Sequence, residues 1–75
     1  MTLRRFLGQP VLDGSFPLPL DRPFHRQQAL RAGVPPRWLT ALAASGHLRR
    51  VVHGVYVAAQ VRDSTALRIA SLRLA

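Results

Sequence analysis

Cysteine, lysine and glutamate are absent from this sequence of 75 residues, and acids are scarce. Without cysteine, neither a disulfide framework nor a thiolate metal site can form. The three acids, Asp13, Asp21 and Asp63, are far apart, and no histidine has a spacing that would hold a metal with a carboxylate. No glycine-rich phosphate loop occurs either. We therefore expect a protein that is not an enzyme and holds no cofactor.

Long hydrophobic runs are also missing. The stretch Thr2-Leu3-Arg4-Arg5-Phe6-Leu7 is similar to a twin-arginine export signal, but the spacer before Phe6 is lacking and no apolar run follows. No stretch approaches the length of a membrane span. We expect a cytoplasmic protein with no membrane partner.

Positive charge is abundant. Eleven basic residues, all arginine, face three acids, which gives a net charge of +8 and an isoelectric point near 12.0. A GC-rich genome would favour arginine over lysine, but codon usage does not explain the sign of the charge. A small basic domain attracts polyanions, and nucleic acid is the first candidate.

Length and composition allow one small domain, and hydrophobic residues at 48% exclude a disordered tail. Residues 1–19 include Pro17 and Pro19, which lack the amide donors of an internal strand or helix. We expect residues 1–19 to form an extended or mobile arm. Arg4 and Arg5 on that arm would either reach a DNA groove or stay in solvent.

Two short helices are predicted next. The first covers residues 24–33, with His25 as its N-cap and Gly33 as its C-terminal stop. Phe24 and Leu30 are expected to face the core.

The second helix begins at Pro35 or Pro36 and ends near Ser45, before Gly46. Leu39 and Leu42 form its apolar stripe. Its outward face carries Arg37, Ala41 and Ala44, with Thr40 at the edge and Trp38 at the flank. For Trp38 we favour packing over base stacking.

The joint between these helices is short and contains Gly33 and Val34, which is typical of a helix-turn-helix. We expect Val34 to fill the angle between the helices.

A β-hairpin is predicted after the helices. Residues 48–51 and 55–57 are rich in strand formers, and His53-Gly54 supplies the tight turn. Such a hairpin must pack on the helices to be stable. The predicted fold over residues 20–60 is therefore mainly α with a small β-hairpin, a winged helix-turn-helix. We expect His47 and His53 at the surface.

A last helix is predicted within residues 61–75, capped by Asp63-Ser64-Thr65. Apolar residues lie nearly all round it, with Leu72 opposite the main apolar face. We expect a neighbour to cover it, either a second domain that starts here or a second copy in a homodimer.

A family resemblance covers most of these elements. PFHRQQALRAGVPPRWLTALAASGHLRRVVHGVYVAA resembles the N-terminal winged helix of AbiEi-family antitoxins of type IV toxin–antitoxin systems, especially the versions common in actinobacteria. The Arg-Arg-Val and Gly-Val-Tyr-Val segments are the most specific part. The resemblance implies a DNA-binding head that represses its own promoter. In such antitoxins a C-terminal domain neutralises a nucleotidyltransferase-like toxin.

Nine residues are the candidate contacts to double-stranded DNA: Arg26, Arg31, Pro36, Arg37, Thr40, Ala41, Arg49, Arg50 and His53. Arg37 and Ala41 would face base edges, where an alanine can contact a thymine methyl group but cannot hydrogen-bond. Arg26, Arg31, Arg49 and Arg50 would contact phosphates, which position a protein without reading sequence. The alternative is a protein-interaction module that docks a toxin or partner domain through the last helix.

Overall fold

The computed structural model describes residues 2–75. The described chain forms helices and strands in the order α1 (Leu3–Leu7), β1 (Phe24–His25), α2 (Arg26–Arg31), α3 (Pro36–Ala44), β2 (Leu48–Val52), β3 (Val55–Ala58) and α4 (Thr65–Leu74). The strands form one antiparallel sheet in the order β1-β3-β2. This mixed α/β architecture is compatible with the predicted fold class, although the sheet has one strand more than the predicted hairpin.

The N-terminal segment is part of the core, which corrects the prediction of an extended or mobile arm. Its buried side chains are Phe6, Leu12, Phe16 and Leu18. The rings of Phe6 and Phe16 meet edge to face, with centroids 5.2 Å apart. These apolar residues follow neither a helical nor a strand period, so periodicity could not reveal them. They are buried because the small helices and sheet leave an apolar surface that only this segment covers.

The first predicted helix starts two residues later than expected, because Phe24 and His25 form strand β1. Phe24 pairs with Tyr56 and His25 with Val55. His25 then caps α2, its Nδ1 accepting a hydrogen bond from the amide of Gln27 at 3.1 Å. The predicted cap is therefore confirmed.

Phe24 is fully buried as predicted, but the inward orientation predicted for Leu30 is wrong. Leu30 is 58% exposed, and Ala29 is the buried residue of α2. A six-residue helix that starts at Arg26 turns a single narrow face inward, and Ala29 occupies it.

The second predicted helix and its joint are confirmed. α3 starts at Pro36, and Leu39 and Leu42 are its buried residues. Val34 is completely buried between the helices. Trp38 is partly buried and packs against the core, in agreement with the packing interpretation.

The predicted hairpin is confirmed as β2 and β3. Gly54 in its turn has a φ of +78°, which is favourable only for glycine. The register shifts between Arg50 and Val52, where β2 carries a β-bulge. Phe24 and Tyr56 stack with centroids 6.3 Å apart on the face of the sheet that joins the α1–α3 core.

The last helix is also confirmed, with Ser64 as its N-cap: its hydroxyl oxygen accepts from the amide of Leu67 at 3.1 Å. α4 contacts β1 and β2. Val55 and Val57 alternate with Tyr56 and are fully buried, so they lie on the opposite face of the sheet, which α4 covers. The sheet is therefore enclosed between α4 and the main core.

His47 is 8% exposed, which corrects its predicted position at the surface. Its Nδ1 lies 2.6 Å from the hydroxyl oxygen of Ser45, and its Nε2 bonds to the carbonyl oxygen of Gln9. A carbonyl oxygen can only accept, so Nε2 carries the hydrogen. His47 thereby ties the N-terminal segment to the junction between α3 and β2.

Within residues 2–75, no helix is both long and apolar enough to cross a lipid bilayer.

Candidate nucleic-acid interface

The outward face of α3 forms the centre of the candidate interface. Arg37 and Thr40 are exposed, and Ala41 is partly exposed one turn beyond Arg37. Spacings of three and four residues place these side chains on one stripe, opposite the buried Leu39 and Leu42. The hydroxyl of Thr40 donates to the carbonyl oxygen of Pro36 at 3.3 Å, which holds it close to the helix backbone.

The start of α3 adds a favourable field for an anion. Pro36 occupies the first turn, where its missing amide is not needed. The first turn contains no acidic residue, so the positive end of the helix dipole is not neutralised by a side chain. Arg37 therefore lies where both its own charge and the helix terminus attract phosphate.

Arg26 and the hairpin turn are brought together by a backbone contact. The amide of Arg26 donates to the carbonyl oxygen of Gly54 at 2.9 Å. A Cβ at Gly54 would lie 3.9 Å from both Cδ and Nε of the Arg26 side chain. The exposed His53 precedes Gly54 in the same turn. Arg26 therefore lies beside the hairpin turn that contains His53, although the two residues are 27 positions apart in sequence.

The two arginines of β2 lie on opposite faces of the sheet. Arg50 pairs with Tyr56 and shares the face of the α1–α3 core, and its side chain is exposed. Arg49 pairs with Val57 on the face that α4 covers. Its Nη2 donates to the carbonyl oxygen of Val61 at 3.0 Å, in the loop before α4. The structure therefore separates two side chains that the sequence treats as a pair.

Arg31 is separated from the α3 stripe as well. It ends α2 and lines a shallow depression with His25, Gln27, Gln28, Leu74 and Ala75, the last two from the end of α4. The candidate residues thus divide into two groups. One group comprises Pro36, Arg37, Thr40 and Ala41 on α3, Arg26 and His53 at the turn, and Arg50 on the core face of the sheet. Arg31 and Arg49 lie towards α4.

Two further arginines contribute positive charge near α3. Arg4 and Arg5 are exposed on α1, which packs against α3. We expected these two arginines on an extended or mobile arm, because the five-residue helix carries too little periodic signal to be recognised in the sequence.

Few carboxylates neutralise this charge. Within residues 2–75 the single ion pair joins Arg68 to Asp63 at 3.2 Å. The contact with Arg68 holds the pKa of Asp63 below its usual value. Hydrogen bonds from the hydroxyl and the amide of Ser15 likewise lower the pKa of Asp13. Both aspartates are therefore ionised near neutral pH. Even so, the eleven arginines outnumber the three acids, so the net charge of the chain stays positive.

Metal-binding geometry does not occur in the described part of the chain. No three histidine or carboxylate side chains of residues 2–75 gather where they could hold a metal ion. The polar clusters that do exist are His47 with Ser45 and Gln9, and Asp13 with Ser15. Both are explained by the local structure that they stabilise.

Comparison with known families identifies the class of protein to which this chain belongs. The family described as "Transcriptional regulator, AbiEi antitoxin" matches residues 21–59, just over half of the chain. The chain belongs to this family of transcriptional-regulator antitoxins, as the resemblance in the sequence indicated. This is a class of regulators and not of enzymes. Neither the curated proteins nor the solved structures contain a significant match.

Proposed function

We propose that the chain is a winged-helix module that binds double-stranded DNA upstream of its own gene and represses transcription. α2 and α3 are the helix-turn-helix, α3 enters the major groove, and the β2–β3 hairpin is the wing. The strand order β1-β3-β2, with the two helices between β1 and β2, supports this assignment. Membership of a family of transcriptional regulators supports the regulatory role.

The observation that carries the proposal is the position of Arg37, Thr40 and Ala41 on one exposed stripe, with additional arginines on neighbouring elements. Arg37 can donate to a guanine edge, and Ala41 can contact a thymine methyl group. Arg26 and Arg50 would bind phosphates on either side of that contact. Because only one stripe residue can donate two hydrogen bonds to a base, we expect modest sequence discrimination together with substantial phosphate affinity.

The number of phosphate contacts gives a measurable salt dependence. Arg26, Arg50 and His53 would supply two to three contacts. The logarithm of affinity should then fall with the logarithm of salt concentration with a slope of about −2 to −3. Arg31 and Arg49 would make this salt dependence steeper only if the DNA also contacted the side of the molecule on which α4 lies.

The experiment is fluorescence anisotropy with two labelled duplexes across a salt series. One duplex is the DNA upstream of the gene, and the other has the same composition in scrambled order. Tighter binding to the native duplex, with the predicted slope, is the expected result. Equal binding to both would contradict operator recognition, and no binding at low salt would contradict the DNA proposal altogether.

A second candidate function is the docking of a partner protein, such as a cognate toxin or a further domain, through α4. Ile69 is 48% exposed and Leu72 is 63% exposed on this helix, an unusual exposure for large apolar side chains. A homodimer would cover the same residues and would predict an inverted-repeat operator. A protein complex that is insensitive to salt, without any DNA shift, would favour this candidate.

A further inference from the structure

A groove of about 440 Å³ lies between β2 and α4. One side is lined by four consecutive residues, Arg49 to Val52, and the other side by Asp63, Arg68 and Leu72. Neighbouring side chains of a strand point to opposite faces, so only the edge of a strand can offer consecutive residues to one groove. The groove therefore follows the open edge of the sheet.

The hydrogen-bond register shows that backbone groups of β2 are open to this groove. The amide of Ala59 donates to the carbonyl oxygen of His47 at 3.0 Å, so residue 47 points its backbone groups towards the third strand. In an antiparallel pair, the backbone groups of successive residues point alternately towards and away from the neighbouring strand. The backbone groups of Arg49 therefore also point towards β3, and the N–H and C=O of Arg50 point away from β3, towards the open edge of the sheet. Among the described residues, no turn, loop or side-chain hydrogen bond involves the backbone of Arg50 either. One donor and one acceptor are therefore available at the edge.

The bulge extends this opening by one residue. Val51 has no partner on β3, because the register shifts between Arg50, which pairs with Tyr56, and Val52, which pairs with Val55. Tyr56 pairs with Phe24 on its other side, so its own backbone groups point towards β1. Val51 consequently lies outside the regular ladder, next to the open groups of Arg50.

The side chains around the groove combine positive charge with apolar surface. Arg49 and Arg68 contribute two guanidinium groups, against one carboxylate from Asp63, which pairs with Arg68. Arg49 uses one of its five N–H donors on Val61, and the others remain. Val52 and the largely exposed Leu72 supply apolar contacts.

We propose that this groove binds an extended acidic segment of a partner protein, which joins the sheet as a fourth strand beside β2. The backbone of the segment would pair with the free N–H and C=O of Arg50, as in other cases of strand addition. Carboxylates at alternate positions would lie on the face that α4 covers and meet Arg49 and Arg68, while the side chains between them would point to the opposite face of the sheet.

Charge complementarity selects this occupant over a second copy of the chain. Two copies joined edge to edge through β2 would place Arg49 and Arg50 of one against the same residues of the other, and directly opposed like charges are destabilising. The groove shares Arg50 with the surface assigned to DNA, but Arg68 and Leu72 lie outside that surface, so the two proposals can be tested separately.

The probe is a fluorescein-labelled peptide of about ten residues in which glutamate and valine alternate, long enough to span β2. One control peptide has lysine in place of glutamate. A second has the original side chains but N-methyl groups on alternate amides, which removes backbone donors while keeping the charge. Binding of the first peptide alone, at least about tenfold tighter than either control, is the expected result.

Amide hydrogen exchange locates the peptide. The amide of Arg50 should exchange at least about tenfold more slowly when the probe is bound, because it gains an acceptor. The amide of Arg49 already bonds to β3 and should change little. Arg68→Ala should weaken probe binding about two- to fivefold, as expected for an exposed charged contact, and leave duplex affinity unchanged.

Three outcomes would overturn the proposal. Equal binding of the N-methylated peptide would mean that the groove attracts negative charge without strand pairing. Binding without protection of the Arg50 amide would place the peptide elsewhere. If the probe does not bind at all, the arginines and the bulge only protect the sheet edge from association. None of these results depends on whether the chain binds its promoter.

Discussion

Replacing Phe6 with alanine should lower the free energy of unfolding by about 3 to 4 kcal/mol. Phe6 is 1% exposed, and its ring packs edge to face on Phe16. Deletion of a fully buried phenylalanine side chain removes its transfer energy and leaves a cavity. Loss of the aromatic pair contributes about 0.5 to 1.5 kcal/mol of that total.

The effect is large relative to the whole fold. A domain of this length has a total stability of about 4 to 11 kcal/mol. A five-residue helix such as α1 is not stable in isolation, so without Phe6 the helix has no strong attachment to the core. Phe6→Leu, which keeps most of the apolar volume, should cost only about 1 kcal/mol and provides a variant that remains folded.

Urea denaturation followed by Trp38 fluorescence measures these values. Trp38 is the only tryptophan and packs against the core, so its emission reports on global unfolding. With a denaturant slope of about 1 kcal/mol/M, Phe6→Ala should move the midpoint by about 3 M. Leu7→Ala is the matched control. This neighbouring side chain is 37% exposed, so its removal should lower the free energy of unfolding by less than about 1 kcal/mol. If both alanine variants were equally mild, residues 3–18 would not belong to the core.

Three further predictions concern the interface, the hairpin turn and pH. In anisotropy titrations, Arg37→Ala should reduce the preference for the native duplex over the scrambled one. Arg50→Ala should instead weaken binding to both duplexes alike and reduce the magnitude of the salt slope by about 1. Identical behaviour of the two variants would refute the division between base and phosphate contacts. Gly54→Ala should destabilise the fold by about 1 to 2 kcal/mol in urea titrations, since alanine is strained at a φ of +78°, and a neutral result would contradict this turn geometry. The folded-state pKa of Asp63 is lowered by Arg68, so its stabilising contribution is present above the unfolded pKa and is lost as the pH falls through the folded pKa. Unfolding free energies measured from pH 6 downwards should therefore decline below the ordinary value of 3.8, and less steeply for Asp63→Asn.

Local signals in the sequence were sufficient to predict α3, the hairpin and the last helix. Pro36 marks the start of α3, and Gly46 with a φ of +86° follows its end. Gly54 permits the hairpin turn, and Ser64 caps α4. These residues act through their own backbone preferences or through bonds to residues two or three positions away, so neighbouring sequence contains the necessary information. Family membership likewise follows from the pattern over residues 21–59.

Tertiary contacts decided the rest. Strand β1 forms because Phe24 pairs with Tyr56 on β3, and a two-residue segment contains no signal that predicts this pairing. The N-terminal segment is buried because Phe6 and Phe16 reach the core and His47 bonds to Gln9, all contacts between residues distant in sequence.

Contacts between residues distant in sequence also divide the candidate DNA-binding residues into two groups. Arg49 and Arg50 are adjacent in sequence, yet strand alternation and the position of α4 send them to opposite faces. The sequence alone determined α3, the hairpin, the last helix and the amount of positive charge on the chain. Which arginines share a surface was decided only when the strands paired, because pairing register and helix packing depend on partners far away along the chain.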